Sequence, residues 1–190
     1  MQRARTAFVR RFPRTRAALA FADERHAGQR RKTDGAPFMM HPVEVACLLQ
    51  EAGHADHVVA AGVLHDVLED TDAERGELEE RFGPAVAALV SALTDDPTIR
   101  DEVERKAALR LQVAEAGRDA AAIFAADKVS KARELRLLAD RSALEPSAAL
   151  KVEHYQESLE MLVSLIPQHP LVERLRLELE ALRELAPKRV

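Results

Sequence analysis

The chain of 190 residues has no Trp, one Tyr, one Cys and seven Gly. Aromatic residues make up 4% of it, and the β-branched and aromatic residues that favour strands are correspondingly scarce. The lone Cys47 excludes an intramolecular disulfide and points to a reducing compartment. Set in an apolar helical stretch, it reads as a small buried hydrophobe. Positive charge is not in excess: 28 Lys and Arg stand against 32 Asp and Glu, for a net charge of −4. That balance argues against a general polyanion-binding surface, so no nucleic-acid partner is expected, although local basic clusters still matter. No apolar run approaches the ~18–20 residues that span a bilayer. The Arg-rich start MQRARTAFVRR is not followed by a signal-type apolar core. The expectation is a cytoplasmic protein without a membrane partner.

What is present is a helical composition. The chain is 47% hydrophobic and 32% charged, rich in Ala, Leu, Glu and Arg, residues that lose little conformational freedom in a helix. No segment alternates as a strand does and no period repeats. The fold class is all-α, a compact multi-helix bundle, and the length suits one domain over residues 1–190. Helices are expected near Thr15–Gln29, from Pro42 to a glycine cap at Gly53, and from Asp56 through the apolar run VVAAGVLHDVLED. Others follow near Ala73–Phe82, Ala85–Leu93, Asp101–Ala116, Ala120–Leu138, Ser147–Leu165 and Leu171–Leu185. The run Arg30–Gly35 is a loop. Asp56 is placed to cap the third helix, whose interior is apolar on nearly all sides and therefore central. The last helix is amphipathic and reads as a packing helix, with a homodimer contact as the alternative.

Polar residues crowd one end of that central helix. His65-Asp66 is followed by Glu69-Asp70, and helical spacing places His65 over Glu69 and Asp66 over Asp70. Burying so much acid is costly unless it is compensated. A divalent cation is the simplest compensation, since imidazole and carboxylate together suit Mn, Fe, Zn or similar ions. His41, just before Pro42, and Asp127, inside the apolar IFAADKV, complete a candidate set. Two His and two Asp from three helices can converge on one ion.

Four separated segments in this order, HAGQRRKTDGAPFMMHPVEVA, GVLHDVLEDT, TDDPTIRDEVERK and AADKVSKAREL, resemble the motifs of the HD hydrolase domain in RelA/SpoT-type alarmone enzymes. The likeness is to the stand-alone small alarmone hydrolases, including the metazoan SpoT homologues. It covers roughly residues 15–165, leaving a packing helix near 170–186. The resemblance implies a manganese ion held by His41, His65, Asp66 and Asp127, with Glu69 and Asp70 orienting or deprotonating the attacking water. It also implies substrate contacts. Arg31 and Lys32 stand at the family's Arg-Lys position, Lys106 matches its pyrophosphate-facing lysine, and Lys151 and Tyr155 resemble an Arg and Tyr pair lining the nucleotide site. Arg31 could stack its planar guanidinium on a purine, which a lysine could not do.

One position departs from the family. Where an Asn that contacts the nucleotide sugar is usual, four residues after the metal-binding Asp, this chain has Lys131, preceded by Ser130. Phe38 stands in place of a usual Tyr. The implied activity is hydrolysis of the 3′-pyrophosphate of guanosine tetra- or pentaphosphate to GDP or GTP and pyrophosphate. Lys131 raises an alternative, a phosphatase for another 2′- or 3′-phosphorylated nucleotide such as NADPH. A catalytically silent nucleotide sensor is the third reading, and the retained Glu69 and Asp70 weigh against it. A synthetase domain does not fit within this length.

Overall fold

The computed structural model describes residues 12–31, 34–139 and 147–185. Lys32 lies outside them. Helices occupy Pro13–Arg25 (α1), Met40–Glu51 (α2), Asp56–Leu64 (α3), Val67–Asp70 (α4), Arg75–Phe82 (α5), Pro84–Leu93 (α6), Glu102–Ala116 (α7), Arg118–Ala139 (α8), Ser147–Leu165 (α9) and Pro170–Leu185 (α10). Among the described residues there is no strand, only an isolated antiparallel bridge between Arg30 and Pro37. The fold is all-α, as the composition requires. No helix of the described residues is long and apolar enough to cross a membrane.

Two helices form the interior. Every residue of α3 from Val58 to Leu64 is buried, and α8 is buried without interruption from Ala120 to Ser130. Around them, α3 packs on α1, α2 and α6, while α8 packs on α2, α7, α9 and α10, and the two touch each other. A fully buried Leu or Val contributes about 1.5–3 kcal/mol, so apolar continuity in α3 and α8 is what holds the bundle closed. The approach of α2 to α3 depends on Gly62. A Cβ there would lie 2.3 Å from Leu49 Cδ1 and 3.3 Å from Val45 Cγ1. At the far end of α2, Gly53 takes φ +84°, a conformation glycine adopts without strain, and His54 N–H closes the turn on Leu49 O at 3.1 Å.

Four local expectations change. The third helix is broken: α3 ends at Leu64, and α4 begins at Val67, leaving His65 and Asp66 at the joint. The His65 ring takes the Gly62 carbonyl at 2.8 Å, an acceptor an unbroken helix uses for a backbone N–H. Asp56 does not cap its own helix. Its carboxylate accepts from the N–H groups of Arg14 and Thr15, both at 2.9 Å, and from the Thr15 hydroxyl at 2.7 Å, so it caps α1 across 41 residues of chain. Helix α2 starts at Met40, two residues before Pro42, so His41 sits within its first turn rather than ahead of it. Proline is tolerated there because first-turn N–H groups need no helical acceptor. Cys47 is half-buried rather than buried. The amphipathic α10 lays Leu171, Val172, Leu175, Leu179 and Leu182 inward, chiefly against α8 and α9 of its own chain.

Candidate active site

His41 comes from the first turn of α2, His65 and Asp66 from the α3–α4 joint, and Asp127 from the middle of α8; all four are buried. His41 Nε2 lies 3.2 Å from His65 Nε2, 3.4 Å from Asp66 Oδ2 and 3.2 Å from Asp127 Oδ1. His65 Nε2 lies 3.1 and 3.4 Å from the same two oxygens. Ligand atoms about 2.1 Å from one ion stand roughly 3.0–3.4 Å apart at angles between square and tetrahedral. The donor atoms of His41, His65 and Asp127 all fall within 4.8 Å of one another, and Asp66 joins them through the two imidazoles.

The far nitrogens set the tautomers. His65 Nδ1 faces a carbonyl oxygen and must carry a proton, so Nε2 is the nitrogen turned inward to where an ion would sit. Ser130 Oγ donates to Glu44 Oε2 at 2.8 Å and so accepts from His41 Nδ1 at 2.9 Å, which leaves His41 Nε2 turned inward as well. The two Nε2 atoms thus face each other at 3.2 Å. Between them Asp127 Oδ1 is buried and receives no hydrogen bond. Lys131 Nζ stands 2.8 Å from that oxygen as an ion pair without hydrogen-bond geometry.

Electrostatics point the same way. Burial disfavours the His65 imidazolium, but Asp66 and Asp127 outweigh it and push the group up to about 10. Burial would raise Asp66 and Asp127, yet His65 and Lys131 for the first, and Lys128 and Lys131 for the second, hold both well below the carboxylate range. The site calls for positive charge at one point. Two imidazole nitrogens, two carboxylates and an oxygen without a donor fit a divalent transition metal.

Above the quartet opens a cavity of about 560 Å³, with His41 and Asp66 in its floor and Arg31, Glu69, Asp70, Lys131, Lys151 and Tyr155 among its walls. Glu69 accepts a hydrogen bond from Asp95 N–H. Partial burial, with the charges of Asp66 and Asp95 added, raises the Glu69 carboxyl; burial and Asp66 raise Asp70. The segment around His26 braces this edge: His26 Nδ1 meets Gln29 Oε1 at 2.8 Å, and Gln29 Nε2 donates to Asp70 O at 2.9 Å. Phe38 lines the same cavity, stacked at 4.5 Å on His26.

The basic residues divide between two spaces. Arg31 donates to both carboxylate oxygens of Asp34 and, at 3.2 Å, to Glu134, so its edge is engaged at the mouth of the first cavity. Lys106 is paired with Asp95 and lines a second cavity of about 380 Å³, whose walls also hold Lys128 and His154. Lys131, Lys151 and Tyr155 line both. Burial pushes the Tyr155 phenol up to about 12. His154 accepts from Arg110 at 2.8 Å, and burial followed by the Lys128 and Arg110 charges pushes it down to about 3.

Some contributors escaped the sequence reading. Lys128 is 4% exposed, 2.7 Å from Asp127 Oδ2, with its ammonium 4.3 Å from the Phe124 ring centre. Its signal was a cation inside an apolar run, one helical turn from Phe124. Glu44, Ser130 and Asp95 act through contacts 26–89 residues apart in sequence, for which no local pattern exists.

Known proteins resemble this chain in sequence and in fold. A family model described as HD domain matches residues 18–145. The chain is 44% identical over 124 residues to guanosine-3′,5′-bis(diphosphate) 3′-pyrophosphohydrolase MESH1 of Homo sapiens, covering 62% of this chain and 67% of that protein. To the Danio rerio MESH1 it is 37% identical over 143 residues, covering 72% and 75%. A match at 44% identity to guanosine-3′,5′-bis(diphosphate) 3′-pyrophosphohydrolase of Aquifex aeolicus spans 46% of this chain and only 12% of that protein. Among solved structures, one described as a metazoan orthologue of SpoT that hydrolyses ppGpp superposes with a TM-score of 0.75 at 28% identity, covering 90% of this chain and 94% of the other. A protein of Listeria monocytogenes superposes at 0.69 and 26% identity, covering 76% and 99%. Sequence and structure agree from α1 through α8: the chain belongs to the HD-domain family, among its RelA/SpoT-type members.

Proposed function

We propose that this chain is a manganese-dependent hydrolase that removes the 3′-pyrophosphate of guanosine tetra- or pentaphosphate, leaving GDP or GTP. The observation that carries the reading is the convergence of two inward imidazole nitrogens with two buried carboxylates, one of whose oxygens receives no hydrogen bond, beneath a cavity with a cationic wall. The names and coverage of the MESH1 relatives support the substrate class. A cytoplasmic setting accords with it.

His41, His65, Asp66 and Asp127 hold the ion in this reading, which when bound makes water nucleophilic near neutral pH and polarises a phosphoryl oxygen. Glu69 and Asp70 orient the water and take its proton; their raised carboxyls are the better bases for it. The Asp95 N–H fixes Glu69 while Asp95 itself holds Lys106, so base and phosphate-binding cation share one mount. Lys106, Lys131 and Lys151 meet the negative charge of the phosphates. Arg31, its edge bound by Asp34 and Glu134, offers a face to the purine. Tyr155 closes the wall beside Lys151, and Lys32 is assigned to the same phosphates on the family pattern alone.

One observation favours a second substrate reading. Lys131 puts a cation beside the quartet where the family's Asn meets a sugar, which suits a phosphate on the ribose itself, as in NADPH. The test incubates Mn-loaded protein with ppGpp, pppGpp, NADPH and 3′-phosphonucleotides, with Asp66→Ala as control. Turnover of ppGpp or pppGpp, releasing pyrophosphate, is the expected result. Turnover of NADPH or a 3′-monophosphate alone replaces the alarmone reading with the second. Rates no higher than the control would sink hydrolysis altogether.

A further inference from the structure

Lys131 touches both ligand carboxylates from the cavity side. Its Nζ is 2.8 Å from Asp127 Oδ1, the oxygen that also lies 3.2 and 3.4 Å from the two imidazole nitrogens. It is 3.9 Å from Asp66 Oδ1, while Asp66 Oδ2 faces the imidazoles. The side chain is 37% exposed, whereas those of Asp66 and Asp127 are 9% and 4% exposed. It starts one helical turn after Asp127 on α8, and its stem reaches along the wall common to the two cavities. No other residue described here combines contact with both carboxylates and a place in both cavities.

We infer that Lys131 is a movable counter-cation that couples metal loading to phosphate binding. Asp127 carries a second cation, Lys128, buried against Oδ2, and that pair stays in place in either state. Lys131 alone stands at the oxygen an ion needs. It holds the two carboxylates while the quartet lacks an ion. A divalent ion at the quartet takes over both carboxylates and repels an ammonium only a few ångströms away, an interaction that is strong in a partly desolvated site. The four-carbon stem lets the charge swing by several ångströms into the shared wall. There its natural partner is a phosphate oxygen of a substrate seated over the quartet. Lys131 therefore weakens metal binding in the empty protein and strengthens anion binding in the loaded one. A neutral residue at this position does neither. The inference rests on the metal reading of the quartet and not on which nucleotide is hydrolysed.

The test titrates Mn2+ by calorimetry into metal-free wild type, Lys131→Met, Lys131→Asn, Lys131→Arg and Asp66→Ala. Lys131→Met and Lys131→Asn should bind Mn2+ at least about fivefold more tightly than wild type, and Lys131→Arg should stay near it. With Mn2+ bound, inorganic phosphate should bind Lys131→Met at least about fivefold more weakly. Thermal melts supply a check on folding. Metal-free Lys131→Met should melt below wild type, and Mn2+ should raise its Tm by the larger amount. Mn2+ affinity in Lys131→Met equal to or weaker than that of wild type overturns the inference. So does phosphate binding that is indifferent to residue 131. If Asp66→Ala binds Mn2+ as wild type does, the quartet reading falls and takes this one with it. If Asp66→Ala loses Mn2+ and the Lys131 variants behave as stated while no guanosine substrate turns over, only the substrate proposal fails.

Discussion

The floor of the site and its rim are built by opposite means. On the floor, His41, His65, Asp66 and Asp127 are all less than a tenth exposed, and the far nitrogen of each imidazole is held by Ser130 or by the Gly62 carbonyl. On the rim, Glu69, Asp70 and Lys151 are exposed and Lys131 half-buried; a single backbone bond holds Glu69 and an ion pair holds Lys131. Buried hydrogen bonds leave one arrangement; exposed ion pairs of long side chains are worth little and rearrange. The proposed ion seat is therefore fixed where the packing is dense, whereas the proposed base and phosphate-binding residues stand where they can rearrange or change without disturbing the fold.

That contrast can be broken most sharply from the floor. His65→Ala should abolish Mn2+ binding and lower turnover by about 10³-fold or more, since the ion's contribution to the barrier is several kcal/mol. It is a cleaner probe than Asp127→Ala, which strands the buried Lys128 ammonium and should cost about 3–5 kcal/mol of stability. Metal titration beside a thermal melt separates the two variants. Retained Mn2+ affinity in His65→Ala would show that the quartet is not the metal site.

The rim should give a smaller and different effect. Glu69→Gln should keep Mn2+ affinity and lower kcat by about 10²–10⁴-fold, the usual yield of a positioned base. A base works unprotonated, so wild-type activity falls as pH drops through its pKa. Because that pKa is raised, the acidic limb of the kcat profile should lie above pH 4.5. The limb should move or vanish in Glu69→Gln; a profile identical in shape assigns the limb to another group.

The sequence and structure coincide unevenly. Helix ends were legible where a positive-φ glycine closes the helix, as at Gly53, Gly83 and Gly117, while the helix starts at Pro13 and Met40 fell two residues ahead of the expected ones. The α3–α4 joint was not, because His65 breaks the helix through its side chain and no Gly or Pro marks the place. Asp56 looked like a cap for the helix that follows it, and only the approach of α1 shows which N-terminus it serves. The residues assigned to the metal were readable through family motifs; the Glu44–Ser130 pair was not, since its members come from different helices, and Lys128 was passed over although Asp127 adjoins it in sequence.

The smallest effect tests a residue the motifs did not mark. Ser130→Ala removes the acceptor that holds the His41 proton at Nδ1, and such outer partners typically tune metal affinity about 10-fold. Mn2+ titration should show a loss of that size with the fold and the Glu44–Arg133 ion pair intact. An unchanged affinity would mean that packing alone orients the His41 ring.

Gly62 has a further consequence. It lets α2 lie against α3 where any side chain must displace Leu49, and its carbonyl is the one that aims His65. The two helices that carry the imidazoles are thus gauged by a single hydrogen atom. A methyl group at this position would have to push the Leu49 side chain aside at the very residue whose carbonyl aims His65.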